Sequence, residues 1–158
     1  MKTNEEMRDG MEISILRISP NRPEKLEIHC HEVTEEVKDI VTFVKSRQGQ
    51  LTGMIEGKQY EIPVTEVYYI EGIENNVFIY GRHKVYETRQ KLYELEGILK
   101  EKYFLRVSKS VILNLMKVKA IKPVLNGRYS AILQNDEEII ISRKYVKELK
   151  KALKGEGV

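Results

Sequence analysis

A chain of 158 residues, 41% hydrophobic and 32% charged, is long enough for one packed domain with a small addition and too apolar to stay globally unfolded. A single cysteine, Cys30, excludes an internal disulfide; no apolar run nears the roughly 18 residues that span a bilayer, and the polar start lacks a signal-peptide core, so the cytoplasm is the expected location. Net charge is only +3, but 18 Lys/Arg against 8 Asp/Glu between Arg82 and Lys154 make that stretch +10 and leave −7 on the rest, a division that suits a polyanionic partner for the second half.

Residues 1–10 are expected to form a loose tail. Glu12 to Ile18 alternates apolar and polar positions and predicts a strand. Pro20-Asn21-Arg22-Pro23 predicts a turn, and Lys25 to Cys30 a second strand. Thr34 can cap a helix whose first turn carries Glu35 and Glu36, where the helix dipole favours acids. Val33, Val37, Ile40, Val41 and Val44 fall on one helical face, and Gly49 ends it. Residues 1–49 therefore read as a strand-strand-helix appendage, with a boundary at Gly49-Gln50.

From Leu51 the pattern becomes strand-rich. Leu51–Glu56, Lys58–Ile62, Val67–Glu71, Asn76–Tyr80 and Lys84–Glu87 predict short strands separated by glycine and proline turns. Thr88 to Leu99 predicts an amphipathic helix with Leu92, Leu95, Ile98 and Leu99 inward. Phe104–Val107 is extended, and Ser110–Leu115 reads as a turn of helix. Lys117–Leu125 and Arg128–Leu133 flank Asn126-Gly127, whose two residues tolerate the positive φ that a tight hairpin demands. Glu138–Ile141 is a last strand. Arg143–Leu153 is a last helix, with Val146, Leu149 and Leu153 buried and Lys144, Lys147, Lys150 and Lys151 outside. The fold class is α+β, mostly β with a few helices; residues 50–154 form the main domain and 155–158 a tail.

Enzymatic chemistry finds no support. No glycine-rich phosphate loop is present. Ser108-Lys109-Ser110 resembles a Ser-Lys dyad only in composition, since adjacent residues rarely converge on one reacting atom. His29-Cys30-His31 lacks the third and fourth ligands that zinc requires. No cofactor, metal or small-molecule substrate is expected. DNA fits better. Arg106 can neutralise a phosphate, and Ser108 and Ser110 can hydrogen-bond phosphate oxygens. Lys109 can reach guanine O6 and N7 in a major groove. Ser142-Arg143-Lys144 lies at a strand-to-helix junction, where free backbone N–H groups suit an anion and two cations are otherwise disfavoured by the dipole. No helix-turn-helix pattern is visible, so a strand-rich DNA binder that reads with loops is the reading from the residues alone.

The motifs also carry a resemblance. Val67-Tyr-Tyr-Ile-Glu71 with Asn75-Asn76, then Tyr86-Glu-Thr-Arg89 with Leu92 and Leu95, resemble the first half of a LytTR domain. Phe104-Leu-Arg-Val-Ser-Lys-Ser110 with Asn114, then Asn126-Gly127 and Ile141-Ser-Arg-Lys144, resemble its second half. The likeness runs in order from about Leu51 to Leu153. It implies antiparallel sheets with a few helices, and binding to direct repeats in bacterial promoters through loops in successive major grooves. By that resemblance Lys109, Lys144, Asn75 and Asn76 contact bases, while Arg106, Ser108, Ser110, Ser142 and Arg143 contact the DNA backbone. Ser108 stands where family members often carry His, and Val77 cannot donate a hydrogen bond, so a relative's base preference does not transfer. The first fifty residues are too few for a receiver domain, which implies a stand-alone transcription regulator. The expected partner is double-stranded DNA. A homodimer through the N-terminal segment and a membrane-protein regulatory partner both remain open. The alternative is a protein-interaction module or anti-regulator that keeps the fold without binding DNA.

Overall fold

The structure, a computed structural model, describes residues 10–154. The tails expected over residues 1–9 and 155–158 lie outside the described residues. Two compact units divide the chain between Val33 and Thr34. In the first unit, neither the strand expected over 12–18 nor that over 25–30 forms. Alternation supplies a face but no partner, and a strand without a ladder leaves its N–H and C=O groups to water. Ile13, Ile15 and Leu16 are accordingly exposed, while Arg22 N donates to Ser19 O across the expected proline turn.

The expected helix forms as α1 (Glu35–Arg47), but it belongs to the second unit and packs on β1 (Gln50–Ile55). Thr34 Oγ1 accepts from Val37 N at 3.3 Å, and Gly49 takes φ +92° just past the helix end. Its buried residues are Val37 and Ser46; Val33, Ile40 and Val41 are exposed, so the packed face is narrower than the apolar periodicity suggests. Arg89 ties the helix down by ion pairs with Glu35 and Asp39.

Seven strands then make one antiparallel sheet. Besides β1 they are β2 (Lys58–Pro63), β3 (Tyr69–Ile73), β4 (Asn76–Tyr80), β5 (Val85–Thr88), β6 (Phe104–Arg106) and β7 (Val111–Asn114), in the order β2-β1-β5-β4-β3-β7-β6. A smaller sheet holds β8 (Val118–Pro123), β9 (Tyr129–Leu133) and β10 (Glu138–Ile141), in the order β10-β9-β8. Helix α2 (Leu92–Leu99) follows β5, and α3 (Val146–Leu153) follows β10. The helix expected from Thr88 starts later because Thr88 is still paired with Val77 in the sheet; Glu94 Oε1 accepts from Lys91 N at 2.7 Å and fixes the actual start.

Ser110–Leu115 corrects the expectation of a helical turn. Val111 to Asn114 is a strand paired on both edges, with β3 and with β6, and all four residues are buried. A strand covered on both faces shows no polar alternation, which is why its period was ambiguous. Successive residues of β3 and β7 feed two cores. Ile70 and Ile112 join Leu95, Leu99 and Phe104 on the α2 side. Tyr69, Val111 and Leu113 join Ala131, Leu133, Ile141 and Leu149 between the large sheet and the small sheet with α3. The mostly β α+β class is thus the observed one, with α2 on one core of the large sheet and the small sheet with α3 on the other.

Asn114, buried to 2% exposure, belongs to this frame. Its Nδ2 donates to Val67 O at 2.7 Å and its Oδ1 accepts from Met116 N at 3.0 Å. Asn114→Ala leaves a buried carbonyl and an N–H unsatisfied and is expected to lower unfolding stability by about 1–3 kcal/mol in urea titrations. Tyr69 and Tyr80 stack with centroids 4.3 Å apart. Burial, reinforced by the nearby Glu137 and Glu71 carboxylates, pushes both phenols up. The unfolded phenol ionises near about 10, whereas the folded one resists, so their contribution is intact below that pH and is lost as pH rises above it. Urea titrations from pH 8 to 11 should show the wild type losing stability above pH 10 and Tyr69→Phe losing less.

Candidate nucleic-acid interface

The loop joining β6 to β7 is short because the strands are adjacent and antiparallel. Val107 N donates to Val111 O at 3.0 Å, and Ser110 N donates to Ser108 Oγ at 3.2 Å, which closes a tight turn around Lys109. Val107 is fully buried and anchors the loop in the second core; Lys109 is exposed, while Ser108 and Ser110 are half-buried. Arg106 is largely covered, at 20% side-chain exposure. Its guanidinium donates to Ser108 O at 2.9 Å, to Lys109 O, and to Glu96 Oε1 at 2.5 Å.

Two neighbouring segments are fastened to this loop. Ser142 N donates to Val107 O at 2.9 Å, which brings the β10–α3 junction alongside. Gly72 N donates to Ser110 O at 2.8 Å, and Gly72 lies in the β3–β4 hairpin opposite Val77. The hairpin tip holds Asn75 and Asn76, both exposed, with Glu74 at φ +58° making the tight turn. Lys109, the Asn75–Asn76 corner and Ser142-Arg143-Lys144 thus gather on one edge of the domain.

At the junction, Arg143–Tyr145 form a 3₁₀ turn and α3 begins only at Val146. The α-helix N-terminus expected at Arg143 is therefore displaced by three residues, and the dipole argument for an anion there weakens. Arg143 and Lys144 are exposed, with the Lys144 ammonium 5.4 Å from the centre of the Tyr145 ring. The Ser142 and Ser110 hydroxyls have no intramolecular partner among the described residues and are free to bind a ligand oxygen.

A fourth segment was missed in the sequence. Asn126 and Gly127 take φ +64° and +73°, as their identities require, and a Cβ at Gly127 would lie 3.0 Å from Arg143 Cδ. The β8–β9 turn is therefore packed against the Arg143 stem. Arg128, exposed on that turn, spends only Nε on Leu125 O at 3.2 Å. A cation directly after Asn-Gly is the signal in the sequence that points to this segment.

The result is an antiparallel β domain that presents exposed cations and amides on loops at one edge. The three α-helices of the described residues are separated by strands, so none of them forms a helix-turn-helix. The chain belongs to the LytTR family: the model of the LytTr DNA-binding domain matches residues 57–154. An uncharacterised HTH-type transcriptional regulator of Staphylococcus aureus is 28% identical over 141 residues, covering 87% of this chain and 95% of that one. The sensory transduction protein LytT of Bacillus cereus is 29% identical over 123 residues, 78% of this chain but only 49% of its own length. A solved LytTr DNA-binding domain of a methyl-accepting/DNA response regulator from Bacillus cereus shares the fold, with a TM-score of 0.63 at 23% identity over 66% of this chain and 96% of that one.

Proposed function

We propose that this chain is a sequence-specific transcription regulator that reads direct repeats in bacterial promoters, placing its edge loops in the major groove of double-stranded DNA. The observation that carries the reading is the hydrogen-bonded clustering of the β6–β7 loop with the β10–α3 junction and the β3–β4 hairpin, through Ser142 N to Val107 O and Gly72 N to Ser110 O. Lys109 and Lys144 supply long donors for guanine O6 and N7, and Asn75 and Asn76 suit adenine N6 and N7. Ser108, Ser110, Ser142 and Arg143, joined by Arg128, supply contacts to phosphates. The excess of cations after Arg82 supplies the sequence-independent attraction. Fluorescence anisotropy with promoter duplexes and scrambled duplexes of equal length tests the reading: tighter binding to the promoter supports it, and equal binding at moderate salt refutes it.

A second reading, an interaction module without DNA affinity, draws on the large apolar side chains Ile13, Ile15, Leu16 and Leu26 that the first unit leaves exposed, groups that contact with a second copy of the chain or a regulatory protein would cover. Stable complex formation together with no DNA binding in the same titration would favour it.

A further inference from the structure

Arg106 stands in the middle of the loop that carries Lys109, yet its guanidinium is turned inward. A guanidinium offers five N–H donors in a fixed fork. Here Nε is held by Ser108 O at 2.9 Å, Nη2 by Lys109 O, and Nη1 by the Glu96 carboxylate of α2 at 2.5 Å. The fork thus grips two successive carbonyls of the loop, and α2 supplies the counter-charge from behind. Those two peptide groups set the direction in which the Lys109 side chain leaves the loop. Apart from this grip the loop is held by Val107 N to Val111 O, Ser110 N to Ser108 Oγ, Gly72 N to Ser110 O and Ser142 N to Val107 O, none of which takes the carbonyl of Ser108 or Lys109.

We infer that Arg106 is a positioning residue rather than a phosphate contact, and that Glu96 is its partner in a latch that aims Lys109 at DNA. The inference rests on the proposed role of Lys109, and it revises the expectation that Arg106 meets the DNA backbone. It makes a prediction of unusual sign. Glu96 carries a negative charge beside a DNA-facing loop, so simple electrostatics has its removal strengthen binding. The latch has its removal weaken discrimination, because the guanidinium loses the group that holds it against the loop. Lysine cannot reproduce the fork, so Arg106→Lys should behave like Glu96→Gln although the charge at position 106 is kept.

Two readouts on the full chain decide this. In the free protein, amide hydrogen exchange is followed at Val107 and Ser110, whose N–H groups are bonded within the loop, with Ile112 and Leu113 of β7 as controls for the fold. Glu96→Gln and Arg106→Lys are expected to speed exchange in the loop about 10-fold, the scale of one lost charge-assisted hydrogen bond, and to leave β7 unchanged. With promoter and scrambled duplexes, both variants should lose about 10-fold of the preference for the promoter, with the slope of log affinity against log salt unaltered. The inference is overturned if loop exchange is unchanged in both variants, or if Arg106→Ala lowers the salt slope by about one while Glu96→Gln tightens binding. Should the wild type show no sequence preference at all, the DNA reading fails by itself, while the exchange data still decide whether the latch exists.

Discussion

Replacing Lys109 and Lys144 together by alanine is expected to remove most of the protein's preference for its promoter while leaving the fold intact. Both side chains are exposed, neither supports a buried contact, and each sits on a loop fixed from behind, Lys109 by Val107 and Lys144 by the bond from Ser142 N to Val107 O. A lysine that donates to guanine O6 and N7 contributes roughly 1–3 kcal/mol of discrimination, and well-separated contacts add approximately. The double variant should therefore lose about 2–6 kcal/mol of specificity, read as the ratio of promoter to scrambled affinity at one salt concentration. Each single variant should lose about half of that. Unchanged thermal unfolding with a collapsed ratio is the expected pair of results; an intact ratio removes both lysines from base reading.

Leu149→Ala should act on the same edge from inside. Leu149 is fully buried and is the one buried residue of α3, a helix of eight residues. A helix that short does not persist in water without tertiary packing. Truncating a buried leucine to alanine costs about 2–5 kcal/mol. Much of the cost here should appear as local release of α3, taking the Arg143–Tyr145 turn with it. Urea titration should show a lowered midpoint, and promoter affinity should fall even at temperatures where the sheets remain folded. A variant that keeps full promoter affinity would show that the Ser142–Lys144 junction holds its shape without α3.

How much of this was readable before the structure depended on whether a residue's role is local. Thr34 capping α1, Gly49 ending it and Asn126-Gly127 turning with positive φ are local consequences of side-chain chemistry, and all three hold. Val111–Asn114 failed as an expectation because a strand buried on both faces has no alternation to read. The strands expected over 12–18 and 25–30 failed for the opposite reason: the alternation is there, but a strand also needs a neighbour. The edge itself was legible as a set of polar, basic segments with the right order along the chain. That Ser142 and Gly72 are bonded to the same loop was not, because those pairings span tens of residues. Arg106 shows the same limit: an arginine beside serines and a lysine looks like a phosphate contact, and only Glu96, ten residues earlier on another element, reveals that its guanidinium is engaged inside the molecule.

The central claim is that one loop edge of this domain reads base sequence. The most direct measurement is selection of duplexes by the full chain from a random pool at about physiological ionic strength, followed by hydroxyl-radical footprinting of the selected DNA. Enrichment of a short motif is the expected result, repeated in one orientation and protected on one face of the duplex, with the enrichment lost in the Lys109→Ala, Lys144→Ala double variant. A selected pool as diverse as the starting one, or a motif that the double variant enriches equally well, would contradict it.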